Sequence, residues 1–266
     1  MVAILKQSPW QIQRAVLFAI FIRELGTRFG RYRLGYMWAI LEPLALILVL
    51  SFVRMMFGRS NIAGLSFPVF FASGILGYLL FQHILMVSLS AVESNLGLFN
   101  YQRVKPVDPV VSRSLVELLI TLGTAIFIFP GLYLIGFTFV WNDTLLVLAT
   151  LVLLYVLALG VGLALSILGP LWQESKKIVP VVIRPLFFIS GIFFPANSLP
   201  DGVRELALIN PLLHVSELLR SSMFKGSESA EGSLAYLTAW ALGCLFLGLC
   251  IYRVFRVRVV TSGNIR

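Results

Sequence analysis

The sequence predicts an all-α polytopic membrane protein: six transmembrane helices, an amphipathic interface helix before the first, and short re-entrant helices before the last. Three observations carry that prediction. Hydrophobic residues fill 59% of 266 positions against 12% charged ones, and mean hydropathy is positive, a balance no soluble domain of this length needs. Six apolar segments, roughly 36–57, 68–90, 114–140, 144–169, 178–195 and 234–255, approach or exceed the about 20 helical residues that a hydrocarbon core takes. With the even span count, 15 of the 21 Lys and Arg fall on the side that holds both termini. Arg54, Arg59, Arg204, Arg220 and Lys225 fall on the other side, and Arg184 lies within a span. The positive-inside rule therefore makes both termini cytoplasmic.

The stretch from Phe18 to Pro43 sets the orientation. On a helical period Phe18, Ile22, Leu25 and Phe29 share one face, with Arg23, Glu24, Thr27, Arg28 and Arg31 opposite, the pattern of a helix lying on a membrane surface. Its apolar run from Ala15 to Ile22 is too short to cross, whereas Trp38 to Phe57 is long enough. Arg23, Arg28, Arg31 and Arg33 sit just before the dive and hold the N-terminus inside. No small-residue cleavage site follows the first apolar run, which reads as an uncleaved helix. The chain divides into a cytoplasmic N-terminus with the interface helix (1–35), a six-helix membrane domain (36–255) and a cytoplasmic tail (256–266).

The second inner connection, 94–113, reads SNLGLFNYQRVKPVDPVVSR. Leu98, Phe99, Tyr101 and Val104 are apolar residues rimmed by Arg103 and Lys105, and Pro106 and Pro109 are expected to stop any helix soon afterwards. Two readings stand: a docking element for a cytoplasmic partner, or packing against the protein's own surface helix. Only Trp141, Asn142 and Asp143 separate the third and fourth spans, which predicts a tight hairpin. Gly160, Gly162, Ala164, Ser166 and Gly169 in the fourth span permit close helix contact.

The fifth span is short and carries Pro180, Arg184 and Pro185 before Phe187, Phe188, Phe193 and Phe194. A charge inside a span costs about 3 kcal/mol on insertion scales, so Arg184 faces a partner or wet cavity, or snorkels to the inner interface; Arg54 poses the same alternatives. The long outer segment 195–233 holds two short helical patterns, Val203 to Ile209 and Leu212 to Met223, read either as re-entrant helices or as a surface loop. Glu42 and Glu117 pair with nearby bases or stay at the interface.

No converging nucleophile, acid–base pair or ligand cluster is present, so no catalytic, cofactor-binding or metal residues are assigned; His83 and His214 are solitary and read as polar packing residues. Cys244 and Cys250 lie on different helix faces and read as small apolar residues. A phosphate-binding G-x-x-x-x-G-K-[ST] loop is lacking, as is an acidic relay of the kind an ion-coupled transporter uses, so energy must come from another chain. The net charge of +9 clusters at span ends, which topology explains without nucleic acid.

FIRELGTRFGRYRLGYMWAILEP at Phe21 to Pro43, NLGLFNYQRVKPVDP at Asn95 to Pro109, and FFISGIFFPANSLP with NPLLHVSELLRSSM between Phe187 and Met223 resemble the membrane subunit of bacterial capsule polysaccharide exporters, the KpsM type of type-two ABC permease. The resemblance covers nearly the whole chain in order; permeases exporting O-antigen or teichoic acid share the first stretch more loosely. It implies a non-catalytic, multi-pass inner-membrane subunit that forms a homodimer clasped by two copies of a cytoplasmic ABC ATPase. That partner, not this chain, would bind ATP and Mg. It also implies periplasmic adaptor and outer-membrane export partners, and an acidic polysaccharide on a phospholipid, joined by a Kdo linker, as substrate. A coupling role falls on Leu98, Phe99, Asn100, Tyr101, Arg103, Val104 and Lys105. The first and fifth spans would line the conduit. Passage of a polyanion calls for cations, for which Arg31, Arg33, Arg54 and Arg184 are candidates, and sugar rings stack on aromatic faces such as Tyr32, Trp38, Phe193 and Phe194. Interface anchoring accounts for Trp38 equally well. The alternatives are an integral membrane glycolipid enzyme, which would need acidic and His clusters, and an ion-coupled transporter.

Overall fold

A computed structural model describes residues 8–30, 35–57, 61–62, 64–101, 103–137, 139–224 and 231–263. Helix α1 (Pro9–Gly30) leads into α2 (Gly35–Met56), and a two-residue β-hairpin, β1 (Asn61–Ile62) with β2 (Leu65–Ser66), turns on Gly64 at φ 78°. Then come α3 (Phe67–Leu89), a 3₁₀ segment (Glu93–Asn100), α4 (Val107–Leu134), α5 (Thr144–Leu171) and α6 (Ser175–Ile189). A 3₁₀ turn (Ala196–Ser198), α7 (Asp201–Ala207), α8 (Pro211–Met223) and α9 (Leu234–Gly263) complete the order.

Helix α3 is apolar on every side, and that is why it sits at the centre: it is buried along nearly its whole length, packed by α2, α4, α5 and α8. The tightest pair is α5 with α9. A Cβ at Gly160 would overlap the backbone of Cys244 and Leu245, and one at Gly248 would overlap the Gly160 carbonyl. Gly162 and Gly169 likewise meet Ser88 and Leu89 of α3, so the small residues of α5 serve close approach, as expected.

Among the described residues five helices, α2, α3, α4, α5 and α9, are long and apolar enough to cross a membrane. The fifth expected span departs from this: α6 has 15 residues, about 22 Å of helix against a hydrocarbon core of about 30 Å. It ends at Ile189, where Ser190 and Gly191 (φ 71°) turn the chain. Two further boundaries differ from expectation. Pro106 and Pro109 do not end a helix; they begin one, with Pro106 at the N-cap of α4 and Pro109 in its first turn, where a missing N–H costs nothing. The connection between the third and fourth spans is also longer than three residues, because α4 stops at Leu134 and Gly136 turns at φ 106°. Asp143 then caps α5 by accepting from the Leu145 and Leu146 amides at 3.0 and 3.1 Å.

Candidate functional site

One end of the helix bundle is built from α1, the 3₁₀ segment and the start of α4. Phe18 and Ile22 of α1 are exposed, and several of its polar groups are engaged by the neighbouring elements. Gln13 Nε2 donates to Asp108 Oδ1 at 2.5 Å, while Asp108 Oδ2 accepts the Lys105 amide at 2.8 Å. The Ser112 hydroxyl donates to the Leu17 carbonyl at 3.3 Å. One turn on, Glu24 Oε2 meets Arg113 Nε at 3.1 Å, and Arg113 Nη2 donates to the Ser94 hydroxyl at 2.8 Å. Arg23 donates to the Asn95 side-chain carbonyl, and Lys176 at the start of α6 pairs with Glu93. The inner connection is thus fastened to α1, α4 and α6 by charge-assisted contacts.

The expected coupling residues divide across this structure. Phe99 is half-buried and packs on the cluster of Ala91, Val92, Leu163, Ile167 and Tyr252; Leu98 and Val104 are also half-buried. Tyr101, 68% exposed, projects with Arg103 and Lys105 to form the free edge of the segment. Asn100 ends the 3₁₀ segment.

The expected conduit residues do not form one cluster. Arg31, Tyr32 and Arg33 lie outside the described residues. Trp38 is exposed near the N-terminal end of α2. Arg54 lies at the outer end of α2 with its guanidinium carbon 5.7 Å from the centre of the Phe67 ring, starting a row of aromatics: Phe67–Phe71 at 6.2 Å, Phe71–Phe193 at 6.3 Å and Phe193–Phe188 at 5.5 Å, the last pair nearly parallel. Phe194 is half-buried beside it. Arg184 is exposed on α6 between Val181 and Phe188, both exposed, and among the described residues it has no ion-pair partner.

One buried ion pair escaped sequence reasoning. On α8, Glu217 and Arg220 are fully exclusive of solvent, with Arg220 Nη1 3.5 Å from Glu217 Oε1 and the Ala196 amide donating to the same oxygen at 3.2 Å. Burial pushes the Glu217 carboxyl up and the Arg220 guanidinium down from their ordinary ranges, and each partly holds the other charged. The i,i+3 spacing was the available signal. Toward the other end, Arg28 Nη2 meets Glu117 Oε1 at 2.9 Å, and His83 stands 3.7 Å from both Glu42 and Glu117. These four residues come from four helices, and no spacing connects them. His214 is a packing residue: its Nδ1 accepts from the Ser233 amide at 3.0 Å, so Nε2 carries the proton and donates to the Leu208 carbonyl at 2.8 Å.

Among the described residues five helices are long and apolar enough to cross a membrane, and residues 15–224 match the family model of the ABC-2 type transporter. The chain belongs to the ABC-2 type transporter family. As a member of that family it resembles the polysialic acid transport protein KpsM of Escherichia coli, with 39% identity covering 96% of this chain and 99% of the relative. The capsule polysaccharide export inner-membrane protein CtrC of Neisseria meningitidis serogroup A is 26% identical over 92% of both chains. The O-antigen export system permease protein RfbA of Klebsiella pneumoniae is 23% identical over 91% of this chain and 93% of its own.

Proposed function

We propose that this chain is the membrane subunit of an ATP-driven exporter that carries lipid-linked acidic capsular polysaccharide across the bacterial inner membrane. It supplies no catalytic group; two copies of a cytoplasmic ABC ATPase, holding ATP and Mg, drive a homodimer of it, with periplasmic adaptor and outer-membrane proteins continuing the route. The identity to KpsM over 96% of the chain supports capsule polymer over O-antigen, whose permease relative shares only 23%.

The observation that carries the mechanism is the fastening of the inner connection to α1, α4 and α6. A push on Tyr101, Arg103 and Lys105 reaches three helices through Glu24–Arg113, Arg23–Asn95 and Lys176–Glu93. In this reading α6, extended by residues 190–195, completes a sixth crossing, α7 and α8 re-enter from the outer face, and both termini are cytoplasmic. The exposed faces of α2 and α6 would meet their copies across the two-fold axis, where Arg184 offers charge to a polyanion and Phe188 and Phe193 offer faces to sugar rings. Trp38, Phe194 and Arg54 extend that lining, together with Arg31, Tyr32 and Arg33.

Reconstitution of the chain with its ATPase in vesicles tests this directly. ATP-dependent accumulation of lipid-linked acidic polymer is expected. Turnover of the glycolipid by the isolated chain, or transport that follows an ion gradient without nucleotide, would overturn it.

A further inference from the structure

Between α2, α3 and α4 lies an open cleft of about 840 Å³, inside the range of small-molecule sites. Its walls are apolar, with Leu46, Val49, Leu76 and Leu79 among them, but one end is not. There Arg28, Glu42, His83 and Glu117 converge. Glu117 is 2% exposed, and its Oε2, on the cleft wall, has no hydrogen-bond partner among the described residues, the nearest base being His83 at 3.7 Å. An orphaned carboxylate oxygen at such depth is costly unless a donor reaches it.

The dimensions suit an amphiphile. Val49 and Leu76 lie seven residues from Glu42 and His83 on their own helices, so the apolar wall runs about 10 Å along α2 and α3 from the polar end. The charges select a headgroup. Glu117 answers one edge of the Arg28 guanidinium, and among the described residues the half-exposed remainder of that fork has no other ion-pair partner, so it can take a phosphate. Glu42 is half-exposed opposite it, and its carboxylate would repel a purely anionic headgroup but attract an ammonium.

We propose that this cleft binds a zwitterionic phospholipid, one acyl chain lying between α2, α3 and α4, the phosphate on Arg28 and the ethanolamine ammonium on Glu42. The site needs only that α2, α3 and α4 cross the membrane; it does not rest on which polymer is exported. Its occupant fills the cleft beside the direct contacts of α2 with α3 and α4, one of which is the Thr124 hydroxyl donating to the Ala39 carbonyl at 3.4 Å.

Native mass spectrometry of the full-length chain, extracted from vesicles of equal phosphatidylethanolamine and phosphatidylglycerol, tests the proposal. One retained phosphatidylethanolamine per chain is expected. Glu42→Gln should lower its preference over phosphatidylglycerol about fivefold, the worth of a half-exposed ion pair. Thr121→Phe and Ala45→Phe, which fill the cleft from opposite walls, should abolish retention, and Leu148→Phe on the exposed side of α5 should leave it intact. Retention that survives either filling variant, or phosphatidylglycerol held in place of phosphatidylethanolamine, overturns the proposal. Lipid retention alongside failed polymer export would sink the export reading and leave this one standing.

Discussion

Arg220 of α8 stacks on Phe70 of α3, its guanidinium carbon 3.6 Å from the ring centre, with no solvent reaching either residue. Gly74, one turn along α3, makes the room: a Cβ there would come within 2.8 Å of Arg220 Nη2. Helix α8 is therefore pinned to the central helix α3 by a desolvated cation on an aromatic face, balanced by Glu217.

Removing one member of that pair leaves the other charge buried and unanswered. Arg220→Leu should cost about 3–5 kcal/mol, whereas the double change Arg220→Leu with Glu217→Leu should cost less than the single. Thermal unfolding of the purified chain in detergent measures both. A single variant as stable as the double would show that the pairing contributes nothing.

Phe99 and Tyr101 should separate stability from coupling. Phe99→Ala removes half-buried area from the inner cluster and should lower stability by about 2 kcal/mol. Tyr101→Ala should leave the unfolding curve in place while uncoupling ATP hydrolysis from export, read as the ratio of phosphate released to polymer moved. An unchanged ratio for Tyr101→Ala would refute the docking role.

The Glu24–Arg113 contact should behave as a swappable tether. Glu24→Arg alone should reduce export severalfold without preventing ATPase association, and adding Arg113→Glu should restore most of it, because the contact is partly exposed and tolerant of exchange. Failure of the exchange to rescue would mean that the pair does something other than hold α1 to α4.

Arg184 has no ion-pair partner among the described residues, so its loss should be felt by the cargo before the fold. Arg184→Ala should cut export of an acidic polymer about tenfold with normal recovery of the complex, and Arg184→Lys should keep most of the rate. Equal loss of export and assembly would assign it a structural part.

What the sequence made legible, and what it hid, follows from how far apart the partners lie. Helices α2, α3, α5 and α9 were readable because the signal is continuous apolar length, and α7 and α8 because Pro200, Pro211 and the apolar spacing mark them locally. Helix α6 was over-extended because Phe193 and Phe194 prolong its apolar run past Ser190 and Gly191, where a positive φ breaks the helix. Pro109 misled for the opposite reason: proline reads as a breaker, yet in a first turn it is an opener. The exposure of Tyr101 and the burial of Phe99, two residues away, could not be separated without α5 and α9 in place. The Arg28–Glu117–His83–Glu42 cluster was legible only in part: a nearby base was expected for Glu42 and Glu117, but that it would be Arg28 with His83 between the two carboxylates had no local trace, because the four residues lie on four helices.

The meeting of Gly160 with Gly248 has a mechanical consequence. With main chain against main chain and no side chain to compress, α5 and α9 form a single stiff girder, and they cannot slide without first lifting apart. A stroke from the proposed ATPase would have to be spent elsewhere. The compliant member is α2, which leans on its neighbours along one edge and has an open cleft behind it.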